Sequence, residues 1–242
     1  MSNLRLDEAM ASRGLVSSRS QAESYIKLKK VKLNAKLNLK PETRVSSQDK
    51  IEIIADEQYV SRAGLKLASV VETLGIDFKN KIVLDVGSST GGFTDYSIKH
   101  GAKKVIAVEV GSNQMNKDLK LNPKVELHEQ CDIRDFKKPE DSINIILIDV
   151  SFISLRQILP AVYKLSGKQT QILAMFKPQF EADPIMKNKG IIKNSRIRRD
   201  LIKEFENWLK HNNFYVVKSV DSEITGSKGN LERFFLLKKV LS

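Results

Sequence analysis

The sequence predicts an α/β fold: a mostly parallel seven-stranded sheet with an antiparallel hairpin at one edge, preceded by a small α+β module. Three observations carry this. From Lys81 onward, apolar strand-like runs recur with helical segments between them, the rhythm of a parallel sheet covered on both faces. The last two runs, FYVVKSV and RFFLLKKV, are separated only by the turn-rich DSEITGSKGN, which predicts a hairpin. Before about Ile54 the rhythm is different, with short helices and a compact basic turn.

Taken in order, LRLDEAMASRG reads as an amphipathic helix stopped by Gly14. Ser17 and Ser18 supply N-caps for a second helix from Arg19 to Leu28. VKLNAKLNLKPETRV alternates partially and is punctuated by Asn and Pro, so small strands and turns follow, and DKIEII closes residues 1–57 as a further strand. DEQYVSRAGLKLASVVETLG has no Gly/Ser-rich run; residues 58–80 are expected to be a structured linker and a lead-in helix packed on the sheet. Within 81–242 the strands are KIVLDVG, KKVIAVEVG, KVELHEQ, NIILIDV, QILAMFK and the hairpin pair, and the clearest helices are FTDYSIKHG, LRQILPAVYKLSG and IRRDLIKEFENWLKH. Ligands of such sheets sit beyond the carboxyl ends of the strands, so residues there carry most functional weight.

Composition narrows the partners. Hydrophobic residues make up 41% and charged ones 29% of 242 residues, as in soluble globular proteins. NIILIDVSF and TQILAMF are far too short to span a bilayer, and the N-terminus has no apolar signal-peptide core; a cytoplasmic protein with no membrane partner is expected. A single cysteine, Cys131, excludes an intramolecular disulfide framework, and three scattered histidines offer no metal cluster, so no metal is expected. Against this, 41 Lys+Arg and 29 Asp+Glu leave a net charge of +12, which points to a polyanion, most simply nucleic acid. The cations cluster in KLKKVKLNAK (Lys27 to Lys36) and KNKGIIKNSRIRR (Lys187 to Arg199), interleaved with apolar residues and hence within folded elements.

The stretch LDVGSSTGGFT, Leu84 to Thr94, runs from an apolar strand into a glycine-bearing loop. A phosphate-binding loop requires a Lys that does not follow Gly92, and Gly87, Gly91 and Gly92 do not keep the dinucleotide spacing. Asp85 would repel a diphosphate. S-adenosylmethionine removes the conflict: it has no phosphate, and its sulfonium and α-ammonium are cationic. Asp85 can help hold its methionine portion, the glycines permit close backbone approach, Glu109 at the next strand end can grip ribose hydroxyls, and Asp132 can accept from the adenine amino group. The competing reading is a tight strand-to-helix turn with incidental acids.

The fourth strand ends in Asp149-Val150-Ser151-Phe152, not in the Asn/Asp-Pro-Pro-aromatic run common in enzymes that methylate exocyclic amines. Cytosine C5 chemistry needs a nucleophilic cysteine; Cys131, at a strand edge among acids, is expected instead to be a buried small residue. Lys177 ends the strand QILAMFK and Lys66 lies in SRAGLKL. A hydroxyl is a poor nucleophile until its proton is removed, and a lysine desolvated beside another cation can act as that base, oriented by carboxylates such as Asp149 and Glu232. For either lysine alone a snorkelling surface side chain is the better reading, and position and partners reverse it.

The motifs YVSRAGLKL, LDVGSSTGGFTD, AVEVGSNQ, DVSFISL, FKPQFEA and GNLERFF carry a specific resemblance. Residues 81–240 resemble the FtsJ-type 2′-O-methyltransferases, and the whole chain is similar to the TlyA family, bacterial rRNA 2′-O-methyltransferases historically labelled haemolysins. The resemblance implies a Rossmann-like class I fold dependent on S-adenosyl-L-methionine and a catalytic tetrad on Lys66, Asp149, Lys177 and Glu232. Lys177 would be the base or activator of the ribose 2′-hydroxyl, Asp149 and Lys66 would position it, and Glu232 would complete the network. The cofactor envelope would comprise Asp85, Gly87, Ser88, Ser89, Thr90, Gly91, Gly92, Phe93, Glu109, Val110, Asp132, Ile133 and Asp149.

LDEAMASRGLVSSRSQAESYIKLKKVKLNAK resembles the RNA-binding module first seen in ribosomal protein S-four. By that resemblance Arg5, Arg13, Arg19, Lys27, Lys29, Lys30 and Arg62 contact RNA, mainly its phosphates, which position it without reading sequence. Lys30 stands where the family usually has Gly, and Asn34-Ala35 where it has Asn-Gly, a loss that can change the turn; Ala63 replaces a usual glycine and Glu109 a usual aspartate. The family methylates cytidine riboses in large-subunit rRNA and, in some members, small-subunit rRNA; the compact termini suggest the large-subunit form. Ribosomal RNA or a ribosomal subunit is thus the expected partner of a monomer. The other readings are a ribosome-associated RNA-binding factor with a degenerate catalytic domain, and a pore-forming haemolysin, for which no segment has the length or amphipathic pattern. Small-molecule methylation would leave the N-terminal module and the charge without purpose.

Overall fold

The computed structural model describes residues 4–240 apart from 38, 56–57, 187–189 and 227, so Lys187 of the second basic cluster lies outside the described residues. The N-terminal module pairs α1 (Leu6–Ser12) with α2 (Arg19–Lys27), and the Ser18 side chain accepts from Gln21 N at the start of α2. Two antiparallel pairs complete it: β1 (Leu4–Arg5) with β3 (Arg44–Val45), and β2 (Val31–Leu33) with β4 (Ile51–Ile53). The turn after β2 keeps a left-handed backbone at Asn34 (φ 48°) and Ala35 (φ 67°) despite the missing glycine. Lys36 N closes it on Leu33 O at 2.9 Å, while the Asn34 side chain ties it to Asp49 and Lys50. The other left-handed residue nearby is Lys29 (φ 56°) and not Lys30.

The linker leads into α3 (Arg62–Leu74), which ends on Gly75 in the left-handed conformation. Leu65, Leu67, Val70, Val71 and Leu74 are buried on one side of this helix. They join one apolar cluster that runs from Met10 and Tyr25 of the module to Val83, Leu147 and Phe234 of the main sheet.

Five parallel strands follow: β5 (Ile82–Val86), β6 (Lys104–Glu109), β7 (Val125–Glu129), β8 (Ile145–Ile148) and β9 (Gln171–Phe176). The hairpin strands β10 (Phe214–Asp221) and β11 (Arg233–Lys239) complete a seven-stranded sheet of order β10-β11-β9-β8-β5-β6-β7, with β11 antiparallel to both neighbours. Strand alternation divides the core. Val83, Val105 and Leu147 face α3 and α4 (Gly92–Lys99), whereas Leu84, Ile106 and Ile146 face α6 (Leu155–Leu165) and α8 (Ser195–His211). Two four-residue helices, α5 (Lys117–Lys120) and α7 (Pro178–Glu181), fill loops. Strand order reverses at β5, between β6 and β8, and this opens a crevice at the carboxyl ends of those strands. Among the described residues no helix is long and apolar enough to cross a membrane, and no cluster of His, Cys, Asp and Glu could hold a metal ion.

Candidate active site

Two cavities, of about 690 and 620 Å³, open along that crevice, and Gly87, Ser89, Asp149, Ser151 and Phe152 belong to the walls of both. The glycine loop forms the partition. Gly87 has φ 79°, and a Cβ there would stand 3.0 Å from the Asp149 carbonyl, so the loop crosses the end of β8 only without a side chain. Gly92 opens α4 against α3: a Cβ on it would come 2.9 Å from Gly64 N.

Asp85, the penultimate residue of β5, is fully buried on the wall of the first cavity. Thr94 Oγ1 donates to its Oδ2 at 2.6 Å, and Oδ1 has no partner. Burial pushes its carboxyl up to about 7; the Thr94 bond opposes this, and the nearby Asp149 and Glu109 charges add to it. Glu109, at the end of β6, accepts from Ser89 N and Gly111 N, each at 2.8 Å, which fixes its carboxylate on the wall of the second cavity.

The four predicted catalytic residues come from four distant segments and line the first cavity together. Lys66, one turn into α3, pairs with Glu232, just before β11, at 2.5 Å. Lys177, leaving β9, pairs with Asp149, leaving β8, at 2.6 Å and donates to Ser151 Oγ at 2.8 Å. Both lysines and Glu232 are buried. Because β11 runs antiparallel to β9, its beginning lies at the carboxyl end of the sheet, which brings Glu232 to the same edge as Lys177. Gly226 leaves room for it: a Cβ there would stand 2.7 Å from Glu232 Oε1.

Of the predicted cofactor residues, Asp85, Gly87, Ser88, Ser89, Thr90, Gly92 and Phe93 line the first cavity. Gly87, Ser89, Glu109, Val110, Asp132, Ile133 and Asp149 line the second. Gly91 lines neither; its φ of 90° and lack of a side chain instead admit Leu119 of α5. Asp132 is held in a fork by Arg134, at 3.0 and 2.6 Å, and this hydrogen bonding keeps its carboxyl below the usual range. Cys131, expected to be buried, is half-exposed on the second cavity's wall, because the strand edge on which it sits faces that cavity. Burial, with Asp132 and Asp135 adding, pushes its thiol up, so it is not an activated thiolate.

The predicted RNA contacts divide in two. Arg5 forks onto Asp7, Arg13 donates to the Ser46 and Asp49 carbonyls at 2.7 Å, and Arg19 bridges Asp7 and Glu8, so all three brace the module itself. Lys27 and Lys29 are exposed, and Lys30 is half-buried beside α3. Arg62 stands at the first cavity with Ser61.

Set against known proteins, residues 59–240 match the FtsJ-like methyltransferase family and residues 4–51 the S4 domain. A Campylobacter jejuni protein named 23S rRNA (cytidine-2'-O)-methyltransferase TlyA is 36% identical over 93% of this chain and 95% of its own length. The chain belongs to the TlyA family. A second relative, Hemolysin A of Brachyspira hyodysenteriae, is 38% identical over 95% of this chain and 97% of its own. A solved structure from Streptococcus thermophilus, described as a candidate hemolysin, superposes with a TM-score of 0.75 at 33% identity, covering 100% of this chain and 90% of that one.

Several residues of this TlyA-family site escaped the sequence reading. Ser151 holds Lys177, although it lies inside the quoted DVSF run. Phe152 is 92% exposed at φ 66°, its ring 5.1 Å from that of Phe180, and it belongs to the walls of both cavities. Lys228 and Asn230 reach the first cavity from the hairpin loop.

Proposed function

We propose that this protein transfers a methyl group from S-adenosylmethionine to the ribose 2′-hydroxyl of a cytidine in ribosomal RNA, with the large-subunit RNA as the substrate. One observation carries the reading: two buried ammonium–carboxylate pairs, Lys177–Asp149 and Lys66–Glu232, line a cavity that shares a wall with a second one. Residues 1–57, which include the S4-domain match, act in it as the RNA-binding module, and 81–242 as the catalytic domain entered through 58–80.

The residues present fit the cofactor. The unpartnered Asp85 Oδ1 and Ser88 Oγ are buried polar atoms facing a cavity, and a cationic, phosphate-free group suits them. Asp85, Ser88 and Phe93 would hold the methionine portion, while Glu109, Val110, Asp132 and Ile133 would hold the adenosine. When bound, S-adenosylmethionine supplies an electrophilic methyl group on a sulfonium.

The chain's own residues do the rest. The cavity walls bring the hydroxyl to Lys177 and Asp149 in one orientation, and such positioning removes a large entropic part of a bimolecular barrier. The hydroxyl loses its proton as its oxygen attacks, and the Lys177–Asp149 unit receives it. Ser151 Oγ accepts from Lys177 Nζ at 2.8 Å and fixes its direction, with Asp149 Oδ1 2.6 Å away. The buried Lys66–Glu232 pair contributes a second fixed dipole on the wall of the same cavity.

The test is 2′-O-methyl mapping of rRNA from cells with the gene, without it, and carrying Lys177→Ala. One cytidine should lose its methyl group in both altered strains. Methylation that persists with Lys177→Ala would overturn the mechanism, and maps identical with and without the gene would overturn the function.

A further inference from the structure

The charges on the wall of the first cavity do not all cancel. Lys66 is paired with Glu232 and Lys177 with Asp149, and Asp85 is tucked against Thr94 under the glycine loop. Two cations on the wall are left over, Arg62 and Lys228, and neither has an ion-pair partner among the described residues. They stand on different sides. Arg62 opens α3 directly after Ser61, whose Oγ occupies the place a Cβ on Gly92 would need, so Arg62 belongs with the glycine loop. Lys228 belongs to the turn that leads into Glu232.

That turn is closed on itself and tied to the opposite wall. Gly229 N donates to Gly226 O and Gly226 N donates to Asn230 O, each at 2.8 Å, with Gly229 at φ 92°. The buried Asn230 accepts from Ile192 N at 2.9 Å and donates to Gly190 O at 3.0 Å. Gly190 also lines the cavity, and the Lys228 side chain lies across it: Nζ and Cδ stand 3.5 and 3.8 Å from where a Cβ on Gly190 would be. A lysine that serves only solubility extends its ammonium into bulk water. Lys228 instead follows the cavity wall, and it remains exposed, as a group that receives a ligand from outside has to be.

A ribose 2′-hydroxyl inside an RNA chain does not enter a cavity alone. The neighbouring 3′-oxygen is esterified, so an anionic phosphate sits on the adjacent carbon. Bringing the hydroxyl to Lys177 and Asp149 brings this phosphate to a wall whose two buried lysines are already committed to carboxylates. We propose that Lys228 binds the phosphate on the 3′ side of the target ribose and so turns the 2′-hydroxyl toward the Lys177–Asp149 pair. This rests on the reading of the first cavity as the acceptor site of an RNA 2′-O-methyltransferase. A single ammonium on a phosphate reads no base, so Lys228 sets where the strand lies and leaves the choice of nucleotide to other contacts.

The experiment compares the full-length wild type, Lys228→Gln and Lys228→Arg on large ribosomal subunits reconstituted with ligated rRNA. The phosphate 3′ of the methylated cytidine is either natural or an uncharged methylphosphonate. Tm and S-adenosylmethionine affinity, both expected to stay at wild-type values, check folding. On natural RNA, Lys228→Gln should lower kcat/KM roughly tenfold, and Lys228→Arg should keep most of it. The methylphosphonate should lower the wild-type value by a similar factor and add little to the loss in Lys228→Gln, because both changes remove the same contact. No effect of Lys228→Gln, an arginine variant as poor as the glutamine one, or two losses that multiply to roughly a hundredfold would each overturn the assignment. Methyl transfer by the wild type with any of these outcomes leaves the proposed function standing. A wild type that methylates no cytidine of the unmodified subunits overturns the proposed function, and the role of Lys228 with it.

Discussion

Cofactor affinity should depend on pH through a single carboxyl, Asp85, and the dependence should vanish in Asp85→Asn. The buried carboxyl is pushed up to about 7 by desolvation, with one oxygen satisfied by Thr94 and the other by nothing. A cationic amino-acid portion selects the ionised form. The apparent Kd is then the intrinsic one divided by the ionised fraction, which is about 3% at about pH 5.5 and about 90% at about pH 8. Affinity should rise about 30-fold across that range. Calorimetric titration with S-adenosylmethionine in buffers of differing ionisation enthalpy should also register release of about one proton per molecule bound near about pH 5.5. Stability of the ligand-free protein should move the other way. The folded carboxyl keeps its proton between about pH 4 and 7 where the unfolded one has lost it, so stability is highest at the acid end and falls as pH rises through that window. The slope is about 1.4 kcal/mol per pH unit, roughly 3–5 °C in Tm for a chain of this size. Asp149 and Glu109 are the other acids acting on Asp85 and remain in the variant. A Kd that is flat with pH in the wild type, or an equal slope in Asp85→Asn, would refute the assignment of this carboxyl to the cofactor.

Three further perturbations test separate parts of the structure. Glu232→Ala leaves the buried Lys66 ammonium without its counter-ion and should cost about 3–5 kcal/mol in denaturant unfolding, far more than truncating an exposed glutamate. Phe152→Ala should leave Tm unchanged, since the ring contacts water over nearly all its surface, but should raise the RNA KM if a nucleobase stacks on it; an unchanged KM would remove that role. Ala35→Gly, at φ 67°, should stabilise the protein by about 0.5–1 kcal/mol by relieving a left-handed alanine, and thermal unfolding would show it as a Tm rise of a few degrees.

The parallel sheet was legible because each strand is a short apolar run bounded by turn residues, and the edge hairpin because its two runs are close in sequence. Lys66 and Glu232 were legible as candidates from their places in the chain, but their pairing with each other was not. They are 166 residues apart, and no local periodicity can announce an ion pair that depends on where α3 docks and on the reversal of β11. The Asn34-Ala35 turn shows a different limit. A propensity argument expects a changed turn without glycine, yet two Asn34 side-chain hydrogen bonds and the β2–β4 pairing hold the left-handed geometry. Arg5, Arg13 and Arg19 show a third: exposed cations in a basic module look alike in sequence, and only coordinates separate those that brace the module from those such as Lys27 that face solvent.

The linker shows how the N-terminal module and the first cavity share one short segment. Buried Gln21 of α2 donates to Tyr59 O at 2.7 Å, and the next residue, Val60, donates its amide to Asp95 of α4 at 2.8 Å. Ser61 and Arg62 then line the first cavity, and Lys66 enters its ion pair one turn later. Eight residues therefore run from the module's docking contact to Lys66, each end anchored by a buried hydrogen bond. Asp95 sits on the helix that the glycine loop opens, so the anchor for the linker and the loop at the first cavity belong to one element. A displacement of the module at Gln21 has no slack to absorb it before Val60 and Lys66. The geometry of the Lys66–Glu232 pair is thus set partly by the packing of the N-terminal module, which accounts for the continuous apolar cluster between the two where a flexible tether would have sufficed to join them.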